Sequence, residues 1–176
     1  QGFAESRISP NLAIFTTFMR DHMAYYDNDE LLYLADKANI FLYQNKDDIL
    51  VLGRQAATRV LGEYRGKFKA PVQLSDMEVF PKDWMLAMPG VHNRYNAGCV
   101  YTAAKALDIE DEIIKESFAT FIGVPGRLEL IAETKDIKVY NDTTSTTPDA
   151  TIAALRALDR GIRNVVLIAG GVSKGL

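Results

Sequence analysis

Leu12-Ala13-Ile14-Phe15-Thr16-Thr17-Phe18, then a helical stretch opening at Asp29, then Asp48-Ile49-Leu50-Val51-Leu52-Gly53, decides the fold. The first run is rich in β-branched and aromatic residues, the composition of a strand. Asp29 is an N-cap residue type, and Leu31, Leu34, Ala35, Ala38, Phe41 and Leu42 form one helical stripe behind it. That spacing predicts a helix to about Gln44. Asp48 to Leu52 reads as a second strand, closed by Gly53. Strand, helix, strand is the unit of a parallel sheet, because parallel neighbours need a long crossover.

Working outward, residues 55–64 read as a weaker helix, and 67–87 as short strands and turns around Pro71, Pro81 and Trp84. Met88-Pro89-Gly90 is a turn. A helix is expected from His92 to Leu107, with Asn96, Val100, Ala103, Ala104 and Leu107 at helical spacing, and another from Glu110 to Thr120. Gly123-Val124-Pro125-Gly126 breaks the pattern and marks a domain boundary between 1–123 and 124–176. Strands follow near 128–133 and 137–141. Pro148 suits the first position of a helix running to about Arg160, where its missing N–H costs nothing. Gly161 stops that helix, and 163–169 reads as a buried strand. The expected class is α/β with a mostly parallel sheet.

The 176 residues are enough for one domain, or one and a fraction, with a sizeable core. A hydrophobic fraction of 48% and a charged fraction of 24% exclude a disordered or collagen-like chain. Twenty basic against 23 acidic residues leave no excess to track a phosphate backbone, which argues against nucleic-acid binding. The single cysteine, Cys99, excludes an intramolecular disulfide and fits a reducing, cytoplasmic setting. No apolar run has the ~20 residues of a membrane span. The chain opens at Gln1 and stops just after Gly170-Gly171-Val172-Ser173-Lys174-Gly175, where a helix normally follows a buried strand. A fragment of a longer protein is expected.

Several residues have the chemistry of a site. His22 follows the first strand, and ligands of open parallel sheets bind at the C-terminal ends of strands. Taken alone it reads more readily as a partly buried histidine satisfying a loop carbonyl. Lys37, four residues after Tyr33, reads by itself as a snorkelling lysine. Asn93 and Asn96 share a helix face and suit a purine edge, although Asn93 also suits a helix start. In Asn141-Asp142-Thr143-Thr144-Ser145-Thr146-Thr147-Pro148 an acid and five hydroxyls lead into a helix N-terminus. That pattern fits ribose and an anion, or an ordinary polar turn. Lys174 can neutralise a carboxylate. No phosphate loop is present: neither Ser173-Lys174-Gly175 nor Gly66-Lys67-Phe68 has the required order. Cys99 reads as inert core.

These pieces, in order, resemble the Mur ligase family. The matching residues are Thr16-Thr17-Phe18 with Asp21-His22-Met23; Lys37; His92-Asn93 with Asn96; Gly126-Arg127-Leu128-Glu129; Asn141-Asp142 with Thr146-Thr147-Pro148; and Gly170-Gly171 with Lys174-Gly175. Together they cover nearly the whole chain, and the resemblance is strongest to the branch that adds D-glutamate to UDP-N-acetylmuramoyl-L-alanine. It implies the second half of a central ATPase domain (1–123) and the start of a Rossmann-like C-terminal domain (124–176), without the UDP-binding domain and the phosphate loop. Such a piece is expected to be inactive alone and the full-length enzyme to be monomeric.

The resemblance also implies an ATP- and Mg²⁺-dependent ligase of peptidoglycan precursor synthesis, working through an acyl phosphate. His22 and Lys37, the latter as a carbamate, would be catalytic and metal-binding. Asn93, Asn96, Arg127 and Asp142 would bind ATP, and Thr146 and Lys174 the incoming D-glutamate. One departure stands out. The family often reads Asp-Ser-Lys-Ala-Thr-Asn where this chain has Asp142-Thr143-Thr144-Ser145-Thr146-Thr147, so Thr144 supplies no cation. The alternatives are a sister Mur or folylpolyglutamate-type ligase using another amino acid, or a non-catalytic adenosine-binding module.

Overall fold

A computed structural model describes residues 2–159, 161 and 164–171. Its elements are α1 (Gly2–Ser6), β1 (Leu12–Phe15), α2 (Glu30–Leu42), β2 (Ile49–Gly53), α3 (Arg54–Tyr64), β3 (Val72–Ser75), α4 (Val91–Ala106), α5 (Asp111–Thr120), β4 (Glu129–Glu133), β5 (Lys138–Asn141) and α6 (Pro148–Leu158). Strands β1, β2 and β3 form a parallel sheet in that order, with Phe15 opposite Leu52 and Leu52 opposite Leu74. β4 and β5 form a separate antiparallel hairpin.

The parallel sheet is covered on both faces, as such sheets must be. Ala13, Phe15, Leu50 and Leu52 point to one side and pack with Leu34, Ala38 and Phe41 of α2 and Ala56, Ala57 and Val60 of α3. Leu12, Ile14, Ile49 and Val51 point to the other side, against Tyr95, Cys99 and Ala103 of α4. A satellite cluster of Phe80, Ala97, Ile114 and Phe118 joins α4 to α5.

Local chemistry explains the element ends. Asp29 caps α2 as its residue type predicts, accepting from the N–H groups of Leu31 at 2.7 Å and Leu32 at 3.2 Å. Thr147 caps α6 through the Ala150 N–H, with Pro148 inside its first turn.

β1 is shorter than the apolar run that predicts it. Beyond Phe15 the chain leaves the ladder and the Gln55 side chain takes over the role of a neighbouring strand. Phe18 N–H donates to Gln55 Oε1 at 2.7 Å, and Gln55 Nε2 donates to the Phe18 carbonyl at 2.9 Å. Tyr95 Oη donates to the Thr16 carbonyl at 2.8 Å. A side chain at Gly53 would collide with that same carbonyl and with Tyr95 Oη, so β2 turns into α3 at a residue without one.

Two expectations fail. The stripe assigned to the helix after His92 is displaced: Val100 and Leu107 are exposed, while Ala97, Gly98, Cys99 and Ala103 are buried. From Ala97 to Ala103 the helix lies so close to the sheet and its loops that small residues fill the contact, with the larger Tyr95 packing at its N-terminal end. The strand expected over 163–169 is not formed by the described residues 164–169, and Val166 and Ile168 are almost fully exposed. An apolar run becomes a strand only with a ladder partner, and among the described residues β5 pairs with β4 alone. Ile162 and Arg163 lie outside the described residues. α6 ends at Leu158 rather than near Arg160, which also lies outside them.

Gly98 gives a test of the close helix–sheet approach. A Cβ there would run into the Asp76 carbonyl. Alanine is the better helix former by about 1 kcal/mol, yet Gly98→Ala is expected to lower the unfolding free energy by roughly 1–3 kcal/mol through overpacking. Urea denaturation reads the sign, and a stabilised variant would contradict the packing.

Candidate functional site

The segment leaving β1 lies at the C-terminal end of the parallel sheet, where ligands of such folds bind. It forms one wall of a cleft of about 200 Å³. Thr17, Met19 and Asp21 come from this segment, Tyr33 and Lys37 from α2, and Arg127 from the turn before β4. Thr144, Thr146, Thr147 and Ala150 come from the loop and first turn of α6. Two cations, one carboxylate and four threonine hydroxyls therefore face one space. A ligand bearing phosphate or carboxylate oxygens matches that lining, with the cations offsetting its charge and the hydroxyls of Thr17, Thr146 and Thr147 able to donate to it, while that of Thr144 is engaged by the Gly126 carbonyl.

Tyr33, 6% exposed, organises the Lys37 side. Lys37 Nζ lies 4.8 Å from the centroid of its ring, the i, i+4 pairing that the helical spacing predicts. The His22 ring meets the same tyrosine edge-on at 6.4 Å, and Phe18 and Tyr26 complete the aromatic cluster. Burial, and then the 3.0 Å hydrogen bond to Asp36, pushes the Tyr26 phenol up to about 12. Tyr26 thus stays a neutral donor at physiological pH.

His22 adopts a left-handed backbone, φ 56°, uncommon for a residue with a side chain. Its N–H donates to Asp21 Oδ1 at 2.8 Å, and its Nε2 lies 3.4 Å from Asp21 Oδ2. The turn keeps the imidazole and the carboxylate side by side. Among the described residues no three His, Cys, Asp or Glu side chains are gathered into a metal cage. Mg²⁺ needs none, since it commonly takes one or two protein ligands and completes its shell with waters and phosphate oxygens. Asp21 and His22 carry donor atoms that fit that sparse requirement, and Lys37 lines the same cleft as Asp21.

A second group of site candidates sits apart, where α4 begins. Asn93 Nδ2 donates to the Pro89 carbonyl at 2.7 Å, closing the turn that starts the helix. Asp142, at the end of β5, accepts from Leu128 N–H at 3.0 Å. It acts electrostatically on half-buried His92, whose imidazole is held below its ordinary value by burial, with Asp142 opposing. Gly90, φ 101°, lets this turn approach α6: a Cβ would come within 2.7 Å of both Ala157 Cβ and the His92 ring.

The structure therefore brings Lys37, Arg127 and Thr146 into one cleft with Asp21, and His22 beside it. Asn93, Asn96 and Asp142 do not line that cleft. Lys174 lies outside the described residues. Sequence reasoning did not single out Thr17, Tyr33 or Thr147 as cleft residues. Tyr33 had a signal in its position one helical turn before Lys37. Thr144 holds the Arg127 turn through a hydrogen bond to the Gly126 carbonyl. Cys99 is fully buried and its thiol is pushed up by that burial, an inert core residue as its setting predicts.

The three-layer α/β sheet with a following hairpin and helix has the fold of a Mur ligase. It superposes on the crystal structure of MurF from Acinetobacter baumannii with a TM-score of 0.67 and 16% identity, covering 85% of this chain and 37% of that one. No family model matches the chain. Curated relatives do. It is 31% identical to the UDP-N-acetylmuramoylalanine--D-glutamate ligase of Salinibacter ruber, over 94% of this chain and 41% of that protein. It is 32% identical to the same-named enzyme of Aquifex aeolicus, over 99% of this chain and 43% of that protein. In sequence and in fold the chain is thus similar to the Mur ligases. It spans about two fifths of the length of the curated relatives it matches.

His92 predicts a specific pH response. Its depressed native value means the unfolded chain binds the proton first, so stability is held above 6.5 and declines as pH falls below it. Asp48 and Asp76, both lowered by hydrogen bonds to backbone N–H groups, add losses only below about 3.8. Urea midpoints from about pH 8 to about pH 5 should decline in the wild type and flatten in His92→Gln. Equal slopes would contradict the depressed imidazole of half-buried His92.

Proposed function

We propose that this chain supplies part of the active site of an ATP-dependent ligase that adds D-glutamate to UDP-N-acetylmuramoyl-L-alanine in cytoplasmic peptidoglycan precursor synthesis. The observation that carries this reading is the convergence of Lys37, Asp21 and Arg127, from three separate segments, on one threonine-lined cleft at the end of a parallel sheet. The relatives' shared name supplies the substrates.

In the proposed reaction a substrate carboxylate oxygen attacks the γ-phosphorus of ATP and ADP leaves, giving an acyl phosphate. The D-glutamate amine then adds to the acyl carbon, loses a proton, and the tetrahedral adduct expels inorganic phosphate to leave the amide. The obstacle is repulsion between a carboxylate and a triphosphate. Mg²⁺, when bound, neutralises phosphate charge.

Arg127 offers its planar fork to phosphate oxygens from the other wall. Lys37 Nζ, condensed with CO₂ with release of a proton, becomes an anionic oxygen ligand on the same helix face. Tyr33 holds the ammonium form, a contact the carbamate would give up. Asp21 and His22 supply the remaining protein donors. Thr146, with Lys174, receives the D-glutamate carboxylates. Asn93 and Asn96 take the adenine edge and Asp142 the ribose hydroxyls, which requires Asn93 to exchange its bond to Pro89 for the base.

The hinge of this arrangement is the Gly123–Gly126 break. Residues 1–123 would act as the latter part of a central ATPase domain, and 124–176 as the opening of the amino-acid-binding domain. The parallel sheet lies wholly within the first stretch and the hairpin wholly within the second.

ADP release by the full-length protein tests the proposal, with ATP, Mg²⁺ and UDP-N-acetylmuramoyl-L-alanine present and amino acids offered singly. Release is expected with D-glutamate, and it should fall roughly 10²–10³-fold in Arg127→Ala, the usual cost of removing a transition-state charge stabiliser. Release with L-lysine or diaminopimelate instead would make this a sister ligase, for which Thr144 in place of a lysine would be the first residue to examine. No release with any amino acid would leave an adenosine-binding module.

A further inference from the structure

Arg127 reaches the cleft from a turn held on both sides. Gly126 N–H donates to Glu129 Oε2 at 2.8 Å, and that carboxylate is itself oriented by Asn141 Nδ2 at 3.2 Å. The Gly126 carbonyl accepts twice from Thr144, from its hydroxyl at 2.6 Å and its N–H at 3.1 Å. Beyond Arg127, Leu128 N–H donates to Asp142 Oδ1 at 3.0 Å. Arg127 N–H donates to the Val124 carbonyl at 3.2 Å.

The backbone here includes a left-handed residue that a free chain rarely places at a side-chain-bearing position, Leu128, after a left-handed glycine. Gly126 has φ 76°, and a Cβ on it would sit 3.0 Å from Thr144 Cγ2. Leu128, a branched residue, has φ 45° and is nonetheless buried. A strained, over-determined turn beside an exposed long cation is the arrangement of a preorganised ligand contact. Without the pins, arginine's rotamer freedom and a mobile backbone would both have to be lost on binding.

We propose that Thr144 and Glu129 are positioning residues for Arg127. By clamping the two peptide groups of Gly126 they fix the direction in which the arginine side chain enters the cleft. Thr144, which lines the cleft with a hydroxyl and no charge, thus serves it by holding a cation supplied by its neighbour in space. The inference rests on the proposed reading of Arg127 as the cation that meets phosphate.

The test has two arms, both on the full-length protein: amide hydrogen exchange at Gly126 and Leu128 without ligand, and ATP affinity by titration. Thr144→Val keeps the shape and removes the hydroxyl, whereas Thr144→Ser keeps the hydroxyl. Thr144→Val should speed exchange at Gly126 and weaken ATP roughly threefold to tenfold, the worth of one neutral hydrogen bond. Thr144→Ser should restore both to wild-type values, a rescue that loss of general packing would not give. Glu129→Met, which removes the other pin, should reproduce the Thr144→Val result and keeps the test decisive if that variant fails to fold.

Wild-type exchange and affinity in Thr144→Val, or a Thr144→Ser variant as impaired as Thr144→Val, would overturn the proposal. If the wild type binds no ATP, it is the ligase reading that fails. The exchange arm then decides the clamp alone: unchanged exchange at Gly126 in Thr144→Val overturns it, and faster exchange rescued by serine upholds it.

Discussion

The way the chain leaves β1 governs what the cleft can display. A strand that continued through Phe18 would keep Thr17, Asp21 and His22 in the plane of the sheet and away from α2. Instead the Gln55 amide satisfies both backbone groups of Phe18, and the Tyr95 hydroxyl satisfies the Thr16 carbonyl. Buried backbone groups that leave a ladder must find other partners, and these two side chains provide them at the point where the chain turns. Gly53 is the constraint beneath both, since any side chain there would displace the carbonyl that Tyr95 holds. Sheet geometry, helix placement and site chemistry meet at this junction.

From it the electrostatic design follows. The cleft opposes cations on two independent walls, Lys37 on α2 and Arg127 on the turn before β4, with Asp21 of the segment leaving β1 lining the same space and His22 at its side. Such a space is suited to a ligand whose charge changes place during reaction, because neither wall alone balances it. Lys37 is the pivot. As an ammonium it rests over the Tyr33 ring, a contact that favours a cation. The proposed carbamate would reverse its sign and turn a site suited to anions into one suited to a hard cation together with them.

The alternation of strand and helix, the Asp29 and Thr147 caps and the hairpin over 128–141 were legible because each rests on local chemistry that tertiary contacts reinforce. The α4 face was misjudged in part: Ala103 is buried as its spacing predicts, but Val100 and Leu107, which look like core, are exposed, and Ala97, Gly98 and Cys99 fill the contact instead. Distance of approach is not written in a periodicity. The strand over 163–169 was misjudged for the complementary reason, since a strand depends on a neighbour that its own residues do not specify. The five-residue α1 carried no sequence signal at all. Lys37 read from its own segment as a snorkelling lysine, and the family resemblance alone gave it another role; its cleft neighbours come from distant segments that no local spacing shows, and the clamp around Gly126 likewise joins residues too far apart in the chain for spacing to reveal.

The carbamate on Lys37 is the claim on which the catalytic reading turns, and it can be observed directly. Full-length protein equilibrated with ¹³C-bicarbonate and Mg²⁺ should show a carbamate carbon resonance that is absent in Lys37→Arg, a substitution that keeps the cation over Tyr33 but cannot form the adduct. A spectrum without that resonance, or one in which it persists in Lys37→Arg, would contradict the account.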